Sequence, residues 1–171
     1  MIGIQRPDTM NELQRNLIAD GYGTPPPRIL EALTETLVHT RVPGAPHTIY
    51  EELWHLAFWL ELSLDWITGR PTPYPAHSAE GFPSPEDVAD EPIIPLLRRF
   101  LDGLELASGM AADEATLERR FERPSRKGTL RLTVEDELLG LATHNAYHLG
   151  RIVLLRQILG AWPPPSGGDS W

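Results

Sequence analysis

The sequence contains no cysteine among its 171 residues. This absence excludes disulfide bonds, thiolate nucleophiles and the thiolate ligands of many zinc sites. Any metal ion held by this chain must therefore be bound by histidine and carboxylate side chains. The chain has six histidines and 24 acidic residues, so ligands of this kind are plentiful.

Positive charge and long apolar runs are also scarce. The formal net charge is −9, whereas nucleic-acid binding needs a basic surface. The densest apolar run, residues 53–60, is too short to span a bilayer and includes a histidine. Residues 1–7 lack the basic and apolar regions of a secretory signal. We therefore expect a cytoplasmic protein with no nucleic-acid or membrane partner.

Strand-like sequence is rare, and the placement of the 17 prolines predicts helices instead. Three windows, residues 47–70, 96–123 and 125–162, contain no proline. Because a proline inside a helix costs about 3 kcal/mol, proline-free windows between proline clusters are typical of helices joined by loops. The one β-like run, residues 130–134, leads directly into a helix start.

Capping patterns refine these helices. A threonine followed three residues later by an acid, as at Thr9, Thr48 and Thr133, is typical of a helix N-terminus. The predicted helical segments are residues 10–19, a stretch after Thr24 with core positions Ile29, Leu33 and Leu37, residues 48–68, a short turn after Ser84, residues 93–108, a turn or two within 113–121, and residues 134–159.

These segments predict an all-α fold, a four-helix bundle, formed by one domain over residues 1–171. Residues 166–171 are expected to be a flexible tail. Residues 119–131 contain six of the 15 basic residues, interleaved with acids. We interpret this segment as a solvated loop; a patch for anions or an acidic partner is the alternative.

Two histidines, His144 and His148, stand four residues apart in the last predicted helix. Side chains at this spacing share a helix face, with Cβ atoms about 6 Å apart, so both imidazoles can bind one metal ion. The helical period also places them in an otherwise apolar stripe. Buried polar groups need partners, which a metal or ordinary hydrogen bonds can supply. The pair therefore favours a metal site, with two hydrogen-bonded core histidines as the alternative.

The surrounding residues narrow the type of metal site. Asn145 stands where a zinc metalloprotease has the glutamate after its first histidine, so this class is excluded. A di-iron bundle needs two Glu-x-x-His units, and the chain has one, Glu52 to His55. A single metal with a third histidine fits best. His55 and His47 are the candidates for that ligand. His55 lies at the edge of the core face of its helix, where the helical pattern does not decide between a metal ligand and an ordinary half-buried histidine. His47 precedes the Thr48 cap in a loop, where an orienting or structural role is more usual.

The segments that contain these histidines resemble those of a known family. Residues 143–156 (THNAYHLGRIVLLR) and 159–164 (LGAWPP) are similar to the last helix of the DinB/YfiT-like superfamily. Residues 47–59 (HTIYEELWHLAFW) are similar to its second helix. The resemblance covers residues 48–162. It implies a DinB/YfiT-like four-helix bundle in which His55, His144 and His148 bind one divalent metal.

For function, the resemblance implies a metal-dependent enzyme that acts on a small-molecule substrate, a thiol S-transferase that uses a low-molecular-weight thiol as cosubstrate. A hydrolase that activates water is the other enzymatic possibility. Three imidazoles suit zinc, nickel or iron by ligand type. Glu52, one turn before His55, either orients that ligand or simply favours the helix start.

The alternative is a bundle that binds a metal or a partner without turnover. The helix at residues 48–68 carries the aromatic residues Trp54, Phe58, Trp59 and Trp66, more apolar surface than one core face requires. This excess favours a homodimer interface, with the wall of a substrate pocket as the other interpretation.

Overall fold

The computed structural model describes residues 10–18 and 23–167. Over these residues the chain forms eight helices and one hairpin of two strands. A single turn of 3-10 helix, Ser78–Gly81, precedes α5. The elements in chain order are α1 (Glu12–Ile18), α2 (Pro26–Ile29), α3 (Glu35–His39), α4 (Ile49–Thr68), α5 (Pro85–Asp90), α6 (Ile93–Ala111), α7 (Glu114–Glu118), β1 (Arg120–Ser125), β2 (Gly128–Thr133) and α8 (Val134–Ile158).

Capping fixes the starts of the two longest helices. The side chain of Thr48 accepts the N–H of Glu51, whose carboxylate accepts the N–H of Thr48 in return. Thr133 and Asp136 make the same reciprocal pair at the start of α8. Helix α4 ends at Gly69, which has a φ of 84°, a left-handed conformation that favours glycine. The predicted boundaries of both helices are confirmed to within one residue.

Helix α4 contacts both α6 and α8, and α1 also packs against α6 and α8. The apolar core between these helices includes Leu53 and Leu60 of α4, Phe100 of α6, and Leu138 and Ile152 of α8, all fully buried. Because α4 and α8 pack directly together, side chains from both can meet at one site. The structure is mostly helical, as predicted, and the four-helix bundle stays a prediction.

Residues 119–131 do not form the predicted solvated loop. They contain the antiparallel strands β1 and β2, joined by a tight turn in which Ser125 lies opposite Gly128. Gly128 has a φ of 114°, a conformation that other residues rarely adopt. This segment therefore adds a small sheet to a fold that is otherwise helical, as predicted.

Contacts with the helices hold this hairpin in place. Arg123 of β1 donates to the Glu137 carboxylate of α8 over 2.7 Å, and its guanidinium lies over the ring of Trp66. Glu137 also accepts a hydrogen bond from Ser63 of α4. These partners are distant in sequence, so local strand signals could not reveal the hairpin.

The helical stretch predicted after Thr24 is two short helices instead of one. Between α2 and α3 the chain turns through Ala32, which has a positive φ of 56°. Thr34 then caps α3 by accepting the N–H of Leu37. Ile29 and Leu33 are buried, as their predicted core positions require.

Some predictions lie outside the described residues. They are the Thr9 cap, the end of the first helix at residue 19, and the tail beyond residue 167. The short helices predicted after Ser84 and within 113–121 are confirmed as α5 and α7. In the described part of the chain, none of the helices combines the length and apolar character needed to cross a bilayer.

Candidate metal centre

The structure brings His55 of α4 together with His144 and His148 of α8. One nitrogen from each ring lies within 4.8 Å of the other two, close enough to hold one metal ion. His55 and His148 are 8% and 7% exposed, and His144 is half-buried. The cluster thus lies at the edge of the core, with His144 as its most accessible member.

The ring of His55 is fixed by a backbone carbonyl. Its Nδ1–H donates to the carbonyl oxygen of Gly81 over 2.6 Å, and this leaves the lone pair on Nε2. The ring of Phe82 stacks against it, with a centroid distance of 4.3 Å. The 3-10 turn at Ser78–Gly81 therefore orients one candidate ligand, although it lies more than 20 residues away in sequence.

The ring of His148 is fixed by a carboxylate. Its Nδ1–H donates to Oε2 of Glu52 over 2.7 Å, so Nε2 is the ring nitrogen that remains available to a metal ion. Glu52 belongs to α4, one turn before His55, and it is fully buried. The second carboxylate oxygen lies 2.8 Å from a guanidinium nitrogen of Arg151.

His144 completes the cluster. Its Nε2 lies 3.1 Å from Nε2 of His55. Two arrangements account for this distance. Either Nε2–H of His144 donates a hydrogen bond to Nε2 of His55, or both nitrogens direct their lone pairs at one metal ion. Nδ1 of His144 and both polar side-chain atoms of Asn145 are buried without a hydrogen-bond partner in the described residues.

These distances and donors fit a divalent metal. Two nitrogens bound to one tetrahedral zinc ion at about 2.0–2.1 Å lie about 3.3 Å apart, close to the observed 3.1 Å between His55 and His144. A ligating histidine almost always donates its other ring N–H to a carbonyl or carboxylate. His55 and His148 both show this arrangement, through Gly81 and Glu52.

Burial keeps two of the imidazoles neutral. It lowers the pKa of His55 to about 4, although the hydrogen bond to Gly81 acts in the opposite direction. Burial also lowers the pKa of His144 to about 4, and the nearby rings of His148 and His55 lower it further. Both rings therefore offer a lone pair at neutral pH, as metal binding requires.

Comparison with known families identifies the relationship. A family model described as the DinB superfamily matches residues 27–152, which is most of the chain. The chain belongs to the DinB superfamily. A comparison with curated proteins finds no match.

The DinB match includes all three histidines that the structure brings together, and it extends from α2 into α8. The second candidate for the third ligand, His47, does not join the cluster. Its ring stacks on Phe82, which also stacks on His55, so His47 lies one aromatic layer away from the site. Of the two candidates, the structure therefore brings only His55 into the cluster.

Gly81 is a site residue that the sequence did not reveal. A Cβ atom at this position would lie 3.1 Å from Nε1 of Trp59 and 3.4 Å from Nδ1 of His55. A side chain here would therefore require the indole or imidazole ring to shift by a few tenths of an ångström. A Pro-, Ser- and Gly-rich loop contains no sequence signal for such a contact, because the acceptor is a carbonyl that every residue has.

We expect Gly81→Ala to weaken metal binding by this DinB protein roughly tenfold, because it displaces the partner that orients His55. The measurement is the zinc dissociation constant, by competition with a chromogenic chelator. Gly140→Ala is the matched control, since a Cβ there meets nothing within 4 Å. Equal zinc affinity in the Gly81 variant and the parent chain would contradict this role for Gly81.

Proposed function

We propose that this protein binds one divalent metal ion through Nε2 of His55, His144 and His148, and uses it as a metal-dependent enzyme for a small molecule. The observation that carries the proposal is the convergence of one ring nitrogen from each of the three histidines within 4.8 Å. The nearest carboxylate, Glu52, contacts Nδ1 of His148 and is therefore not placed as a fourth ligand. Three protein ligands with one free position are typical of catalytic metal sites, whereas structural sites have four.

The chain's own residues hold and orient this site. Gly81 and Glu52 fix the rings of His55 and His148, and the third histidine, His144, is half-buried. A divalent metal bound there supplies Lewis acidity, which favours the thiolate form of a thiol or the hydroxide form of water at neutral pH. Zinc, nickel and iron all suit three imidazoles.

Among metal-dependent reactions we propose transfer of a low-molecular-weight thiol, with hydrolysis as the other possibility. In S-transfer the thiol loses its proton to water and its sulfur forms a bond to an electrophilic carbon. The leaving group departs with the electron pair of the broken bond, so the step needs no oxidant or reductant. The family resemblance supports this proposal, and so does the partial exposure of His144. We also propose that α1, α4, α6 and α8 form the four-helix bundle that frames the site.

The test is to incubate the metal-loaded protein with an activated aryl halide and a panel of small thiols. We expect a rate above background with at least one thiol, and none with a His144→Ala/His148→Ala variant. The rate is followed by the absorbance of the thioether product. Absence of a rate with every thiol, in protein shown to hold metal, would contradict S-transfer.

A second candidate function is a bundle that binds a partner without turnover. The outer face of α8 carries the exposed apolar residues Tyr147, Leu154 and Ile158, and no acidic residue occurs between Glu137 and the end of α8. Burial of these apolar side chains against a second copy would remove them from water, and no carboxylate of this segment would oppose the contact, so we propose a homodimer. Its test is the mass in solution, and the mass of a single chain would contradict it.

A further inference from the structure

Glu52 is a carboxylate in the apolar core. It lies on α4 between residues that pack against α8, and it is 0% exposed. Its neighbours on the same helix, such as Leu53 and Leu56, are core residues. Burying a carboxylate is costly unless hydrogen bonds or opposite charges compensate, so this position calls for a reason beyond packing.

Two partners from α8 compensate the carboxylate. Oε2 accepts the Nδ1–H of His148 over 2.7 Å. Oε1 lies 2.8 Å from a guanidinium nitrogen of Arg151, an ion-pair distance, but it has no partner with hydrogen-bond geometry among the described residues. His148, Glu52 and Arg151 thus form a chain of contacts from the histidine cluster towards the surface, where Arg151 is partly exposed.

The geometry points to Glu52 as a positioning residue for His148, an inference that rests on the proposed metal site. We infer that Glu52 holds the proton of His148 on Nδ1 and so directs the Nε2 lone pair towards His55 and His144. A hydrogen bond to a carboxylate also makes the opposite ring nitrogen a stronger ligand. Arg151 balances the charge of Glu52, so the pair can stay buried beside the cluster.

A purely structural ion pair predicts different behaviour. If Glu52 served only to pair with Arg151, its removal would lower stability and leave the ring of His148 and its metal affinity unchanged. If Glu52 positions His148, its removal changes the protonated nitrogen of that ring and the metal affinity together. Measurements of the protonation of His148 and of the metal affinity therefore distinguish a positioning role from a purely structural one, and neither depends on catalysis.

The first measurement is the protonation of His148 by ¹⁵N NMR of its ring nitrogens, in chelator-treated protein. We expect one tautomer with the proton on Nδ1 in the parent chain, and a mixture of tautomers in Glu52→Leu. A ring of His148 with its proton on Nε2 in the parent chain would overturn the inference. This result does not involve a metal, so it stands even if the chain binds none and the proposed metal site is wrong.

The second measurement is the zinc affinity of Glu52→Gln, which keeps the shape of the side chain and removes its charge. We expect a loss of about tenfold to a hundredfold relative to the parent chain. Glu51→Gln is the matched control, because Glu51 is the adjacent residue but contacts Thr48 and Arg41 instead of the cluster. Equal affinities of Glu52→Gln and the parent chain, with both folded by circular dichroism, would overturn the inference.

Discussion

Replacing His144 and His148 together with alanine is expected to lower the affinity for a divalent metal by more than about a hundredfold. Loss of one outer partner of a metal ligand costs about tenfold to a hundredfold, and this variant removes two direct ligands. The remaining ligand, His55, cannot by itself hold the ion against solvent. Metal content after dialysis and a zinc titration measure the effect.

A matched control uses another histidine. His39 pairs with Glu35 on α3 and does not belong to the cluster. A His39→Ala variant is expected to retain the metal content of the parent chain. If the His144/His148 variant also retains it, the metal lies elsewhere and the assignment of this site is wrong.

Replacing Phe100 with alanine is expected to destabilise the fold by about 3–5 kcal/mol. Phe100 belongs to α6, is fully buried, and packs in the core that also includes residues of α4 and α8. The substitution leaves a cavity that the surrounding helices fill only in part. Urea unfolding of the metal-free protein measures the change, since bound metal would add its own stabilisation.

Leu106→Ala on the same helix is the control for this prediction. Leu106 is 53% exposed, so its truncation removes little buried surface. We expect a change within about 0.5 kcal/mol. Comparable losses for the two variants would contradict the described orientation of α6, because its buried and exposed faces would then be wrong.

Local sequence signals were sufficient to predict the boundaries of the two longest helices. Helices α4 and α8 are bounded by prolines and begin with capping boxes at Thr48 and Thr133, so their boundaries follow from short-range chemistry. The four-residue spacing placed His144 and His148 on one face of α8 before their surroundings were known. Because the two histidines interrupt an otherwise apolar stripe, the sequence also predicted that they need polar partners or a metal in the core.

Long-range contacts could not be predicted in the same way. The hairpin of β1 and β2 depends on Arg123 reaching Glu137 and Trp66, which are residues of two different helices. The helical pattern of α4 placed His55 at the boundary between the core face and the exposed face of the helix. His55 is buried because α4 packs against α8, which the pattern does not show. The carbonyl of Gly81 carries no residue-specific signal, although it orients the ring of His55.

The contact of Glu52 with His148 could be predicted from the sequence only in part. The sequence placed Glu52 one turn before His55, which suggested that it orients that residue. The structure shows it bonded to His148 instead, across the interface between α4 and α8. A helical pattern gives the face on which a side chain lies, but the partner depends on which helix packs there.

The most direct test of the three-histidine metal site is X-ray absorption at the zinc edge, on protein loaded with one equivalent of zinc. We expect three imidazole nitrogens at about 2.0–2.1 Å, with a further light atom at the free position. The His144→Ala/His148→Ala variant should lose this signature. A spectrum of the parent chain with fewer than three imidazoles, or with zinc bound only by oxygen, would contradict a site formed by His55, His144 and His148.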